Sequence, residues 1–347
     1  RAQPWISVAQ AWALVHSGHL DPAEICLQKA EQTIEAYIPR NEFESKRLAG
    51  HIATIRGYCF GLHGNLNQAK PFLRKALQVL PKDDAATRSL AATFLGSILR
   101  WTGDLAEASQ FMDEALAMSR VNGTLQGSIN ILGDYAMLQI VQGRFDQAAV
   151  TCQEALQMAN QSAKQSRLQE PSVWQAYTFL SIILCERNEL KTAIRYAQEG
   201  FELCQRWGEA NDLFRAHFYL AKALQAAGDR EGAADVIRKA EQVAGGLSSW
   251  FIDRIDALMA WHFLMNGNVS AAARWADAGG LNIDDPFSFE HHEKYCLFAQ
   301  ILVAQGKRKE ALALLEKLLK MAESAGAMQY LVNVLTIQAM ALFSISD

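Results

Sequence analysis

A six-residue motif, glycine or asparagine followed five positions later by alanine, occurs eight times in this chain at intervals of 39 to 46 residues. Such a glycine predicts the left-handed residue that ends one helix, and the alanine predicts a close crossing with the next helix. Repetition at this period predicts a row of helical hairpins that sets the fold of the whole chain. The copies are Gly18-His-Leu-Asp-Pro-Ala, Gly64-Asn-Leu-Asn-Gln-Ala, Gly103-Asp-Leu-Ala-Glu-Ala, Gly143-Arg-Phe-Asp-Gln-Ala, Asn188-Glu-Leu-Lys-Thr-Ala, Gly228-Asp-Arg-Glu-Gly-Ala, Gly267-Asn-Val-Ser-Ala-Ala and Gly306-Lys-Arg-Lys-Glu-Ala.

Small and large residues also recur at fixed distances from each turn. The residue seven positions before the turn is small in all eight copies. The residue twelve positions after it is small in seven, Gly279 included, with Leu318 as the exception. The residue four positions before it is large and apolar except at Gln139. This alternation predicts close helix crossings with large side chains packed beside them.

Composition and charge limit the classes of protein to which this chain can belong. Hydrophobic residues make up 50%, charged residues 20%, and there are seven prolines, which favours a folded helical protein. The net charge of -4 includes no basic run, which argues against direct nucleic-acid binding by this segment. Since there is neither a membrane-length apolar stretch nor a secretory pattern, we expect a soluble, cytoplasmic segment. The chain begins at Arg1 without a methionine, so we expect a piece of a larger protein.

Motifs that carry chemistry are missing from the sequence. It has no phosphate-binding glycine loop, no dinucleotide fingerprint, no H-E-x-x-H and no nucleophile elbow, so we expect neither a catalytic residue nor a cofactor in this segment. The cysteines have no metal-ligand spacing and are interpreted as reduced core thiols. They are Cys26, Cys59, Cys152, Cys185, Cys204 and Cys296.

Two groups of residues could suggest a site, but we interpret both as structural. In His291-His292-Glu293, adjacent side chains on a helix point about 100 degrees apart and cannot easily hold one ion. We predict a solvated helix start there and no metal. Trp101 and Trp174 are predicted to be core residues, because large aromatics at helical spacing usually are.

The repeat resembles the tetratricopeptide repeat, whose consensus has a small residue in the first helix, a glycine at the turn and two alanines in the second helix. The resemblance implies an all-α, right-handed superhelical solenoid. It would form a single domain over residues 1–347, with about eight helix-turn-helix repeats and a C-terminal helix from Met328. We expect that helix to belong to a truncated ninth repeat, because its apolar residues need covering: Leu331, Val334, Leu335 and Leu342.

In tetratricopeptide arrays, the first helix of each hairpin lines the concave groove at positions about 13, 10, 6 and 3 before the turn. On this register, Arg100, Arg215, Lys222 and Arg254 are basic and Glu293 is the acid, which predicts a preference for an anionic or hydroxyl-rich ligand. For each residue the alternative is a plain solvated surface. The candidate ligand or partner residues are Tyr58, Thr93, Ser97, Arg100, Asn130, Met137, Gln175, Thr178, Arg215, Phe218, Lys222, Arg254 and Trp261.

The C-terminal third carries a more specific resemblance. Ala272-Ala-Arg-Trp-Ala, Leu281-Asn-Ile-Asp-Asp and Ala311-Leu-Ala-Leu-Leu-Glu-Lys-Leu-Leu resemble the sensor region of MalT-like, ATP-dependent LuxR-family transcription activators of the STAND type. The resemblance implies that a nucleotidase and a promoter-binding helix-turn-helix lie outside this segment. It also implies that an inducer or partner on the concave face controls oligomerisation and transcription, with possible self-association of the full-length protein and no membrane partner.

Two other functions stay open. One is a constitutive adaptor that holds a peptide segment of a partner protein in its groove. The other is an enzyme with an unfamiliar active site.

Overall fold

A computed structural model describes residues 4–36, 42–122, 124–166, 170–207, 210–243 and 249–343. The described residues form seventeen α-helices and two short 3-10 turns, at Pro171–Val173 and Phe289–His291. The first helices of the hairpins are α1 (Pro4–His16), α3 (Glu42–Leu62), α5 (Ala85–Thr102), α7 (Leu125–Val141), α9 (Trp174–Glu186), α11 (Ala210–Ala226), α13 (Ser249–Met265) and α15 (His292–Ala304). Their partners are α2 (Leu20–Ala36), α4 (Leu66–Val79), α6 (Leu105–Asn122), α8 (Phe145–Ser166), α10 (Leu190–Trp207), α12 (Arg230–Val243), α14 (Val269–Ala278) and α16 (Arg308–Ala325), and α17 (Met328–Phe343) follows.

All eight predicted turn residues have a positive φ, between 60° at Asn188 and 89° at Gly103. The residue after each turn then closes the first helix: the Asp104 N–H donates to the Leu99 carbonyl at 2.9 Å, for example. The chain reverses at that point and the second helix begins one or two residues later. The predicted hairpins and the all-α solenoid are therefore confirmed.

The predicted helix crossings are present. The alanine five residues after each turn is fully buried in every repeat, from Ala23 to Ala311. At Gly96, a Cβ atom would come within 2.8 Å of Met112 Cε and 3.3 Å of the Ala108 carbonyl oxygen, so α5 and α6 pack backbone to backbone. The prediction for Gly279 is wrong, because α14 ends at Ala278 and Gly279 is an exposed residue beyond it.

The exception at Gln139 has a local explanation. Its side chain is buried, and its Oε1 accepts a hydrogen bond from the Thr151 hydroxyl at 2.9 Å. The partner comes from α8 of the same hairpin, twelve residues later, so the polar side chain is satisfied where leucine or phenylalanine stands in the other repeats.

The array curves until its C-terminal part contacts its middle. Helix α17 contacts α7, and the 3-10 turn Phe289–His291 contacts α5. At these contacts two turn residues must be glycine for two reasons: their φ is positive, and a side chain would collide with the neighbouring element. A Cβ on Gly103 would lie 2.8 Å from the Phe289 ring, and one on Gly143 would lie 2.7 Å from Met328 Cβ. We call these two contacts, of α17 with α7 and of Phe289–His291 with α5, the closing contact.

Helix α17 leaves part of its apolar surface exposed. Val334 and Ile337 are buried against α15 and α16, whereas Leu335 and Leu342 are each 46% exposed. Among the described helices, none has the length and apolarity needed to cross a bilayer.

Four of the six cysteines are buried and the other two half-buried. Burial raises the pKa of Cys152 to about 12, so this thiol stays protonated and unreactive. Within the described residues there is no cluster of three or more histidine, cysteine or acidic side chains that could hold a metal.

Candidate functional site

The inner face of the superhelix encloses a cavity of about 630 Å³. The first helices α3, α5, α7, α9, α11 and α13 supply most of its wall. A cavity of this size is in the range that holds a small organic ligand or a few residues of peptide. Ten of the thirteen candidate residues line it: Tyr58, Thr93, Ser97, Arg100, Asn130, Met137, Gln175, Arg215, Phe218 and Arg254.

The other three candidates lie elsewhere. Thr178 is buried, and its hydroxyl donates to the Trp174 carbonyl at 2.9 Å. It packs against Gly200 of α10, so its position serves the helix crossing. Lys222 and Trp261 lie together outside the cavity wall, with the Lys222 Nζ 5.6 Å from the Trp261 ring centre. That the thirteen residues bind a ligand stays a prediction.

Trp101 is the aromatic centre of the cavity wall. The guanidinium carbon of Arg100 lies 4.5 Å from its ring centre, and that of Arg254 lies 4.4 Å away. The ring is only partly buried and lines the cavity, so its interpretation as a core residue was wrong. Trp174 is buried as predicted, but its ring also carries a cation, since Arg215 lies 5.3 Å from it.

Acidic residues that the register did not select also face the cavity. Asp134 and Asp212 line it, so the prediction that Glu293 is the one acid of the inner face is wrong. Burial raises the pKa of the Asp134 carboxyl, and the nearby charges of Arg215 and Arg100 oppose that shift. Asp212 lies 3.8 Å from Arg215, beyond hydrogen-bond distance. Neither acid occupies a predicted groove position, so the repeat register did not predict that they face the cavity.

Glu293 pairs with Arg254, its Oε2 accepting from Nη2 at 2.6 Å. Burial would raise the pKa of this carboxyl, but the positive charges of Arg254 and Lys222 outweigh burial and the pKa is lowered. Glu293 is therefore a charged residue paired with Arg254, and with 48% of its side chain exposed in the first turn of α15 it fits the predicted solvated helix start. Glu293 lies thirteen residues before the turn at Gly306, and this register position predicts that its side chain points to the inner face.

His292, unlike its exposed neighbours His291 and Glu293, contradicts the prediction of a solvated helix start. Its side chain is 2% exposed and stacks on Tyr330 of α17, with ring centres 4.4 Å apart. Burial lowers the pKa of His292 to about 4, so the ring is neutral at neutral pH. Phe289 joins the same stack, 5.5 Å from Tyr330. Phe289 in turn packs on Gly103, so this ring stack adjoins the closing contact, and nothing in the repeat pattern indicated it.

Gln175 shows how the wall is fitted together. Its side chain crosses from α9 to α7 and lies against Gly133, where any Cβ would overlap its amide. Glycine at 133 therefore lets Gln175 reach the cavity.

Comparison with known proteins supports the fold and gives a family. The sequence model of the MalT-like TPR region matches residues 50–344. The HTH-type transcriptional regulator MalT of Yersinia enterocolitica is 24% identical over 322 residues, which cover 91% of this chain and 34% of that protein. The protein of the same name from Yersinia pestis is 25% identical over 276 residues, or 78% of this chain and 30% of its own length. The chain thus spans about a third of the curated relatives it matches.

Solved structures show the same fold at low sequence identity. A Rap protein complexed with Competence and Sporulation Factor has a TM-score of 0.61 and 13% identity, over 97% of this chain and 99% of that one. The apo form of the quorum sensor NprR from B. thuringiensis has a TM-score of 0.60 and 13% identity, covering 92% and 87%. At this identity the likeness concerns the solenoid alone.

Proposed function

Because the chain belongs to the MalT-like TPR family, whose model covers residues 50–344, we propose that it is the ligand-sensing region of a cytoplasmic transcription activator. In this proposal an inducer binds in the cavity and changes the curvature of the solenoid. The region binds and transmits, and performs no reaction itself. Control of oligomerisation and transcription would then lie with the rest of the regulator.

The observation that carries the proposal is that the cavity on the inner face lies beside the closing contact. Trp101, which carries Arg100 and Arg254 in the cavity, stands beside Gly103, against which Phe289 packs. A ligand at Trp101 therefore lies next to the point where the two parts of the array meet. A ligand that prefers one curvature shifts the population towards it by that preference and no more.

A hydrogen-exchange experiment tests this function. Compounds and short peptides are first screened for an increase in Tm, since a ligand of the folded state stabilises it. Exchange is then measured with the strongest compound. Protection in α5, α7 and α11, together with changed exchange at Phe289–His291 and α17, is the expected result. Protection confined to the outer helices α4, α6 and α8 would contradict it.

A second candidate is an adaptor that holds a segment of a partner protein. A Rap protein of the same fold has been solved with Competence and Sporulation Factor, so a TPR solenoid of this size does take up such a factor there. Sequencing the gene on both sides of this segment separates the candidates. An upstream nucleotidase and a downstream helix-turn-helix favour the sensor, and their absence favours the adaptor.

A further inference from the structure

Arg100 is a cation buried inside the superhelix without a hydrogen-bonded anion. Its side chain is 6% exposed, it lines the cavity, and its Nε has no hydrogen-bond partner among the described residues. Asp134 acts on Arg100 through its charge and not through a hydrogen bond, and Arg215 repels it. A buried guanidinium normally has hydrogen-bonded acceptors, because its desolvation is costly.

The repeat register explains why the chain offers Arg100 no partner. Other cations of this protein pair with an acid about one repeat away, as Arg254 does with Glu293, 39 residues on. The residues at the register of Arg100 in the neighbouring repeats are Gly61 and Ile140, and neither can accept from its side chain.

Arg215 stands in a row of polar residues that winds along the inner face. Each member lies thirteen residues before its turn: Asn130, Gln175, Arg215, Arg254 and Glu293. Because Arg254 is paired with Glu293, Arg215 has an amide on one side and a second cation on the other. Its closest described carboxylate, Asp212, lies 3.8 Å away.

Both guanidinium groups lie over aromatic rings, and Arg215 also has its 3.8 Å ion pair with Asp212. Arg100 lies over Trp101, and Arg215 lies over Trp174 and Phe179 at 5.3 and 5.8 Å. Stacking uses the face of a guanidinium and leaves the N–H donors at its edge available. Those donors suit a group with two or three coplanar or clustered oxygens, which is a carboxylate or a phosphate.

Building on the proposed function, we propose that Arg100 and Arg215 form an anion-binding subsite, so that the ligand carries a carboxylate or phosphate group. The rest of the ligand packs on the aromatic wall of Trp101, Trp174 and Phe218. One bound anion supplies a counter-charge to both cations and removes their mutual repulsion. Asp134 acts on both arginines through its charge, without a hydrogen-bonded ion pair to either of them among the described residues. The group belongs either to a small organic acid or ester or to the C-terminus of a peptide.

Binding measurements with matched probes test the subsite at constant ionic strength. The small anions are benzoate, citrate and phenyl phosphate; the peptides are one pool of pentapeptides with free C-termini and the same pool amidated; glucose and sucrose are the neutral set. Wild type, Arg100→Gln, Arg215→Gln and the control Arg120→Gln on the outer face are compared by calorimetry and Tm. Circular dichroism shows whether each variant is folded. If Arg100→Gln does not fold, the binding result for Arg215→Gln decides whether the subsite exists.

We expect an anionic probe to bind wild type, and its affinity to fall about tenfold or more in each inner variant while Arg120→Gln stays within about twofold. Small anions and free-carboxyl peptides each support the subsite and identify the source of the group. Equal binding of an anion to wild type and both inner variants would overturn it. Binding confined to sugars or amidated peptides overturns the subsite but leaves the proposed function standing, and binding by no probe counts against both.

Discussion

Two basic side chains of the inner face, Arg100 and Arg215, are held differently from those of the outer face. On the outer face, basic residues form short ion pairs with acids of the neighbouring hairpin: Lys70 with Asp104 at 2.8 Å, Arg74 with Glu107 at 2.7 Å, Arg120 with Glu154 at 2.7 Å, and Arg56 with both Glu24 and Glu31. On the inner face, Arg100 and Arg215 stack on tryptophans and have no hydrogen-bonded carboxylate among the described residues. The same repeat spacing serves both faces, so the difference comes from which residues the chain places there.

This difference separates residues that hold the fold from residues available for binding. An exposed ion pair between hairpins contributes little, but it satisfies both charges. A buried cation without an acceptor costs stability in the empty protein, and a bound anion recovers that cost. Replacing a paired cation of the outer face should therefore lower the free energy of unfolding, whereas replacing Arg100 should leave it level or raise it.

The largest effect is expected from acid, at the buried stack of His292 on Tyr330. Burial lowers the pKa of His292 to about 4, whereas an unfolded histidine titrates near 6.5. Between these two pKa values His292 is protonated in the unfolded chain and neutral in the folded protein. Stability is full above about pH 6.5 and falls as the pH drops towards 4, by up to about 3 kcal/mol. Denaturant unfolding at pH 7 and 4.5 measures the loss.

His292→Phe keeps a ring against Tyr330 and should remove most of this pH dependence. The exposed neighbour His291 provides the control, since His291→Phe should keep the wild-type slope. Equal slopes for wild type and His292→Phe would show that burial of His292 does not cause the loss of stability in acid.

The next largest effect is expected on the outer face at Arg56. Its Nη1 and Nη2 donate to Glu31 and Glu24 at 2.7 and 2.8 Å, and its side chain is mostly buried. Arg56→Met should lower the free energy of unfolding by about 2 kcal/mol, because two charge-assisted interactions are lost together. Urea unfolding measures it, and Arg56→Lys should recover only part. A loss below about 0.5 kcal/mol would mean that the outer pairs do not hold the hairpins together.

Arg100→Met should change the free energy of unfolding in the opposite direction to Arg56→Met. Burial lowers the pKa of Arg100, which reflects the cost of its charge. Replacing it removes an unpaired buried cation and a contact with Trp101. We expect stability to stay level or rise by about 1 kcal/mol, with the desolvation cost outweighing the lost stacking. The measurement is urea unfolding without ligand, beside Arg56→Met. A loss of 2 kcal/mol or more, about the loss expected at Arg56, would remove the distinction between the faces.

The repeat allowed much of this arrangement to be predicted. Asn188 adopts a left-handed φ of 60° although it is not glycine, because its turn is set by the hairpin around it. The groove register placed Arg100, Arg215 and Glu293 on the inner face, since a repeated hairpin fixes the direction of each position. A periodic pattern constrains neighbours in this way whatever the curvature of the array.

The closing contact could not be predicted on that basis. Gly103 and Phe289 are far apart in sequence, and they meet only because small rotations between successive repeats add up. No repeat encodes that sum by itself. Trp101 and His292 were therefore misassigned: both were interpreted by their neighbours in sequence, while their surroundings come from a distant part of the array.

The smallest effect is expected at an exposed outer pair. Arg120 and Glu154 are 2.7 Å apart, with 58% and 40% of their side chains exposed. Arg120→Met should cost no more than about 0.5 kcal/mol, because solvent screens both charges. A double-mutant cycle with Glu154→Gln, measured by urea unfolding with 0.05 and 1 M sodium chloride, isolates the pair. We expect the coupling to disappear at high salt, whereas the effect of Arg100→Met should not change, since its charge is buried. A coupling that survives high salt would show that the outer face, like the inner one, excludes solvent from its charges.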